Sequence, residues 1–101
     1  MLTGKQKSYL RSQAHGLQPV VQIGKHIVTE SVVDTTLKAL EARELIKISV
    51  LQNCLAEPKE VADVLAQQTE AQLVQVIGRV IVLYKQASKP ANRHLSNKMP
   101  T

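Results

Sequence analysis

The chain has 101 residues, enough for one domain with one modest core. Hydrophobic residues make up 44% of it, which excludes a disordered polymer; no apolar run is long enough to span a bilayer, no signal pattern precedes the first polar segment, and a cytoplasmic protein is expected. The net charge of +5 is segregated: residues 1–29 and 71–101 carry no acid (+4 and +5), and residues 30–70 carry all eight (−4). An inert surface mixes its signs, so this division predicts one basic side and an anionic polymer as partner.

In chain order, Thr3 and Gln6 have the spacing of a capping box, which starts a helix running to about His15. Leu10, Ala14 and Leu17 lie along one side of it, and much of the charge of Lys5, Lys7, Arg11 and His15 can share another. Gly16 suits the helix end, and Val20-Val21-Gln22-Ile23 after Pro19 is the first strand. Thr29 is the expected N-cap of a second helix to about Arg43, with Val33, Leu37 and Leu40 facing inward and Asp34 paired with Lys38 outside. Ile46 to Val50 alternates strictly, as a strand with one buried face does.

Pro58 fits the first turn of a third helix, with Val61, Val64, Leu65 and Gln68 inward and Glu60 and Asp63 exposed. Two β-rich runs, Leu73–Ile77 and Val80–Tyr84, flank Gly78-Arg79. A two-residue link with Gly first predicts a type II′ hairpin, Ile77 opposite Val80, Gln75 opposite Val82, and Arg79 at an exposed tip. From Ala87 the periodicity stops, and residues 87–101 read as a basic, disordered tail to a domain of residues 1–86. The order α-β-α-β-α-β-β, with crossover helices favouring parallel pairing, predicts a two-layer α+β fold around a mixed four-stranded sheet.

Catalytic chemistry is not legible. His15, His26 and His94 are scattered, and Cys54 stands alone, so neither a metal site nor a cofactor is expected; the cysteine reads as a small core residue that cannot form an intrachain disulfide. Gly24-Lys25 fails the nucleotide-cradle pattern, because no Gly stands five residues upstream and His26 occupies the Ser/Thr position. With Tyr9 and Tyr84 as its only aromatic residues, the chain lacks a base-stacking face, so any nucleic acid would be met through phosphates, riboses and shape. Gly24 and Lys25, lying between a strand and a helix start, offer close backbone approach and a mobile charge to such a backbone.

Three blocks in order, LTGKQKSYLRSQAHGLQPVVQIGK, TESVVDTTLKALEARELIKISVL and LVQVIGRVIVLYK, resemble the YhbY-like RNA-binding family of stand-alone bacterial CRM domains over about residues 2–86. That resemblance implies the same α-β-α-β-α-β-β fold, like the C-terminal domain of translation initiation factor three. It also implies a partner of structured RNA: family members associate with large-ribosomal-subunit precursors, and plant relatives assist intron splicing. The family's GxxG loop falls on Gly24-Lys25-His26-Ile27, with Ile27 where the second Gly belongs, and Glu70 stands where a Gly commonly follows the third helix. The expectation is a non-catalytic protein binding ribosomal RNA through Gly24, Lys25 and His26, extended by Lys5, Lys7 and Arg11 and more weakly by Arg79. No membrane or small-molecule substrate is expected. The competing expectations are a general nucleic-acid binder, DNA included, and an adaptor docking other proteins through the acidic helices.

Overall fold

The computed structural model describes residues 2–100. Its elements are α1 (Gly4–Ala14), β1 (Pro19–Ile23), α2 (Glu30–Arg43), β2 (Leu45–Val50), α3 (Pro58–Thr69), β3 (Gln72–Ile77) and β4 (Val80–Tyr84), the predicted order. The capping box forms: Gln6 N–H donates to Thr3 Oγ1 at 3.1 Å, and Thr3 N–H donates to Gln6 Oε1 at 3.0 Å. Thr29 caps α2 by accepting from Val32 N–H at 3.2 Å.

The four strands make one sheet in the order β1-β2-β4-β3. β1 and β2 are parallel, and β4 is antiparallel to both its neighbours. The crossover through α3 therefore makes β2 and β3 point the same way without pairing, because β4 inserts between them. The reason is burial: β4 has no charged or amide side chain and is buried at four of its five positions, whereas β3 carries Gln72 and Gln75 and suits an edge. Gly78 has φ +57 and Arg79 does not share its sign, the type II′ pattern, and the register of Ile77 with Val80 and Gln75 with Val82 is as predicted.

Alternation on β2 and β4 divides the core. Ile46, Ile48, Val50, Ile81 and Leu83 point to α2 and α3, where Leu40, Val61, Ala62 and Leu65 meet them; Cys54 is buried in the same cluster. Leu45, Val82 and Tyr84 point the other way, against Leu10 and Ala14 of α1. Two layers, the sheet with α2 and α3, thus carry the larger core, and α1 adds a partial cover on the second face. The helical stripes are rotated slightly from expectation. Thr36 and Thr69 are buried, and Leu37, Val64 and Gln68 are more exposed than predicted. Each Thr hydroxyl donates to the carbonyl four residues back, Val32 or Leu65, at 2.7 Å, which satisfies it inside the core.

The tail also differs from the disordered segment the composition suggested. Residues 90–92 and 96–98 form short 3-10 turns, and Leu95 and Met99 pack on the α1-side cluster. Two carboxylates of α2 and its cap hold it. Glu41 accepts from Ser88 N–H and Oγ, both at 2.8 Å, and from Lys89 N–H at 3.1 Å. Glu44, fully buried, accepts from the backbone N–H of Ala87, Leu95 and Ser96 and from Ser96 Oγ at 2.7–3.0 Å. Isolated anchors of this kind leave no periodic trace in sequence.

Candidate nucleic-acid interface

Parallel β1 and β2 bring their carboxyl ends to one end of the sheet, and pairing of Ser49 with Val80 brings the β3–β4 hairpin there too. Three connections therefore meet: residues 24–27, residues 51–54 and Gly78-Arg79. Leu51 N–H donates to Ile23 O at 2.8 Å, joining the first two.

Residues 24–27 form a closed turn, with Ile27 N–H donating to Gly24 O at 3.1 Å. Lys25 and His26 occupy its two central positions and are exposed. The positive φ of this turn falls on Ile27, at +57, and not on Gly24. A β-branched residue resists that conformation, yet Ile27 adopts it with its side chain packed against the main core. The turn keeps its course without the second glycine by anchoring the position that would otherwise want one. A Cβ on Gly24 would stand 3.5 Å from Asn53 Oδ1 and 3.7 Å from Leu51 Cδ1, ordinary contact distances. The fold itself thus has room for a side chain at Gly24, and the sharp bend expected of it is made elsewhere in the turn.

Arg79 is not the free tip charge that the hairpin predicted. Its Nε donates to Val50 O at 2.9 Å and its Nη2 to Leu51 O at 2.6 Å, while its own carbonyl accepts from Val50 N–H at 2.8 Å. It shares the sheet end with Lys25 as a clamp across the β2 terminus.

On α1, Lys5 and Arg11 are exposed and Lys7 is half-buried. The helix runs toward the loop end: Leu2 and Gln6 lie by Gln72 and Tyr84, while Arg11 and His15 lie by Ile77 and Val80. Arg11 and His15 thus approach the hairpin, and Lys5 sits near the far end. Lys47 joins Arg11 and His15 on this face. Sequence reading missed it as a site residue. Alternation along β2 did place Lys47 opposite the buried isoleucines, but the short reach of α1, which leaves it accessible, has no local signature.

All eight carboxylates belong to α2, α3 or their caps. The sheet therefore separates an acidic layer from a basic face, and among the described residues the one ion pair is Asp34–Lys38 within α2, at 3.0 Å. Among the same residues, no group of three or more His, Cys, Asp or Glu is placed to hold a metal ion, and no helix is long and apolar enough to cross a membrane.

Residues 2–85 match the family described as the CRS1 / YhbY (CRM) domain. The chain is 53% identical over 89 residues to "Probable RNA-binding protein YqeI" of Bacillus subtilis, covering 88% of this chain and 93% of that one. It is 37% identical over 84 residues to an "RNA-binding protein" of Haemophilus influenzae, covering 83% and 85%. The solution structure of the hypothetical protein SAV1595 from Staphylococcus aureus superposes with a TM-score of 0.78 at 45% identity, covering 99% of this chain and 100% of that one.

Proposed function

The chain belongs to the CRS1/YhbY (CRM) domain family, and from that premise we propose that it is a non-catalytic RNA-binding domain whose partner is structured RNA, specifically ribosomal RNA in precursors of the large subunit. The observation that carries this reading is the exposed Lys25-His26 apex, next to a face whose basic groups have no carboxylate within ion-pair distance among the described residues. Lys25 is a point charge for a phosphate, and Gly24 presents bare backbone beside it. Arg11, Lys7 and Lys5 extend the contact along α1. Arg79 supports the loop through its clamp. The relatives' names support the RNA-binding part of this reading.

Lys25→Ala should weaken binding to a structured RNA and lower the slope of log affinity against log salt by about one unit. Unchanged affinity and slope remove the loop from the interface. The ribosomal assignment is tested by gradient sedimentation of cell extract: the protein should travel with large-subunit precursors and shift to the top after RNase. Retention with its partner after digestion would favour docking through acidic α2 and α3 instead.

A further inference from the structure

α1 covers only part of its face of the sheet. Its eleven residues span about 16 Å and pack over Leu45, Val74 and Tyr84. In register across β2, β4 and β3, Lys47, Val82 and Gln75 form one row, and Ser49, Val80 and Ile77 form the next. The helix ends over the first row and leaves the second open. Between Arg11 and His15 of α1 and these rows lies a groove of about 220 Å³.

The groove combines three chemistries. Its basic groups are Arg11, His15 and Lys47, and no carboxylate lines it. Its floor is apolar, with Ile77 64% exposed beside Val80. Gln75 supplies a side-chain amide at the same level. A fully paired stem can use the first of these through its phosphates, but its stacked bases have nothing to set against Ile77. An unpaired nucleotide uses all three: a phosphate, a flat base with an apolar face, and a hydrogen-bonding edge. The open row also continues to Gln22, the partner of Ser49 and two residues from Gly24, so the groove adjoins the loop.

Resting on the RNA-binding reading above, we propose that this groove takes one unpaired nucleotide of the bound RNA. The base lies on Ile77 and Val80, Gln75 reads its edge, and Arg11 and Lys47 hold its phosphate. The domain thereby prefers stems interrupted by a bulged nucleotide to continuous ones, without needing an aromatic platform.

Fluorescence anisotropy with two RNA hairpins, identical except for one extra unpaired nucleotide in the stem, tests this. Wild type should bind the bulged hairpin more tightly. The Gln75→Ala/Ile77→Ser double variant, which removes no charge, should lose roughly tenfold on the bulged hairpin and nothing on the paired one. Equal wild-type affinity for both hairpins, or equal loss on both, overturns the groove assignment and leaves RNA binding standing. Failure of wild type to bind either hairpin at low salt overturns both. A measurement independent of the variant's folding uses wild type with 4-thiouridine at the unpaired position. Photo-crosslinks should fall within residues 75–80, and crosslinks found only elsewhere place the nucleotide outside the groove.

Discussion

Arg79 reaches across the end of the sheet to Leu51, its Nη2 donating to the Leu51 carbonyl at 2.6 Å, while the Leu51 N–H is given to Ile23 at 2.8 Å. One residue after β2 is thus held from both sides, by β1 through its amide and by the hairpin through its carbonyl. Gly24 follows Ile23 directly, so this crossbar sets where the Lys25-His26 turn begins. The guanidinium fork suits the task because Nε and Nη2 reach two successive carbonyls from one rigid plane, a geometry an ammonium cannot reproduce.

Arg79→Ala should lower the stability of the domain by about 1–2 kcal/mol, since charged donors are lost and two carbonyls are left to water. Arg79→Lys should recover only part of it. Urea unfolding with an unchanged m-value is the measurement. A loss below about 0.5 kcal/mol, the range of an ordinary surface substitution, would mean that the clamp does not hold the sheet end.

Gly24→Ala separates folding from binding. The added methyl meets Asn53 and Leu51 at ordinary contact distance and the backbone there is not left-handed, so stability should stay within about 0.5 kcal/mol of wild type. RNA affinity should nonetheless fall, because the methyl stands where a phosphate backbone would approach. Equal affinity of the variant, with the fold intact, would show that the partner does not come close to this main chain.

Much of this architecture was legible from the chain. The capping box at Thr3, the N-cap at Thr29 and the hairpin register at Gly78-Arg79 are local devices, each set by residues within one turn. Family resemblance located the turn at residues 24–27. What stayed hidden depends on residues far apart in sequence. Arg79 read as a tip charge because its two acceptors lie about thirty positions earlier. Lys47 and Ile77 line one groove only because α1 ends over the row of Lys47 and leaves the row of Ile77 open. Thr36 and Thr69 are polar by type, and their burial rests on hydroxyls satisfied within their own helices. The tail looked unstructured because its order comes from Glu41 and Glu44 rather than from a repeat.

Glu70 ends α3 in the left-handed region, at φ 57 and ψ 33, and is exposed. For a residue with a Cβ that conformation costs roughly 1–2 kcal/mol, against roughly 0.5–1 kcal/mol of extra chain entropy for glycine. The strain is the larger quantity, so Glu70→Gly should raise stability by about 0.5–1 kcal/mol. Chemical denaturation reads this directly, and a decrease would mean that the Glu70 side chain makes a compensating contact.

The tail clasp is an acid-sensitive joint. Hydrogen bonds from the Ser88 backbone and hydroxyl, with help from Lys89 and Asn92, hold the Glu41 carboxyl down to about 2. Burial pushes the Glu44 carboxyl up, but its bonds from Ser96, Ala87 and Leu95 outweigh that and leave it below the ordinary carboxylate value. A carboxyl whose folded value is depressed stabilises the folded form fully above its unfolded value, near 4.5, and loses that contribution as pH falls toward the folded one. The clasp should therefore hold at neutral pH and loosen between about pH 4.5 and 2. Amide hydrogen exchange at Ala87, Ser88, Leu95 and Ser96, corrected for the intrinsic pH dependence of exchange, should lose protection over that range. Glu44→Gln removes the charge while keeping the shape. It should speed exchange at Ala87, Leu95 and Ser96 at neutral pH, where wild type is protected, and leave Ser88, held by Glu41, less affected. Equal protection in the variant would show that the tail is ordered by Leu95 and Met99 packing on the α1-side cluster rather than by the buried carboxylate.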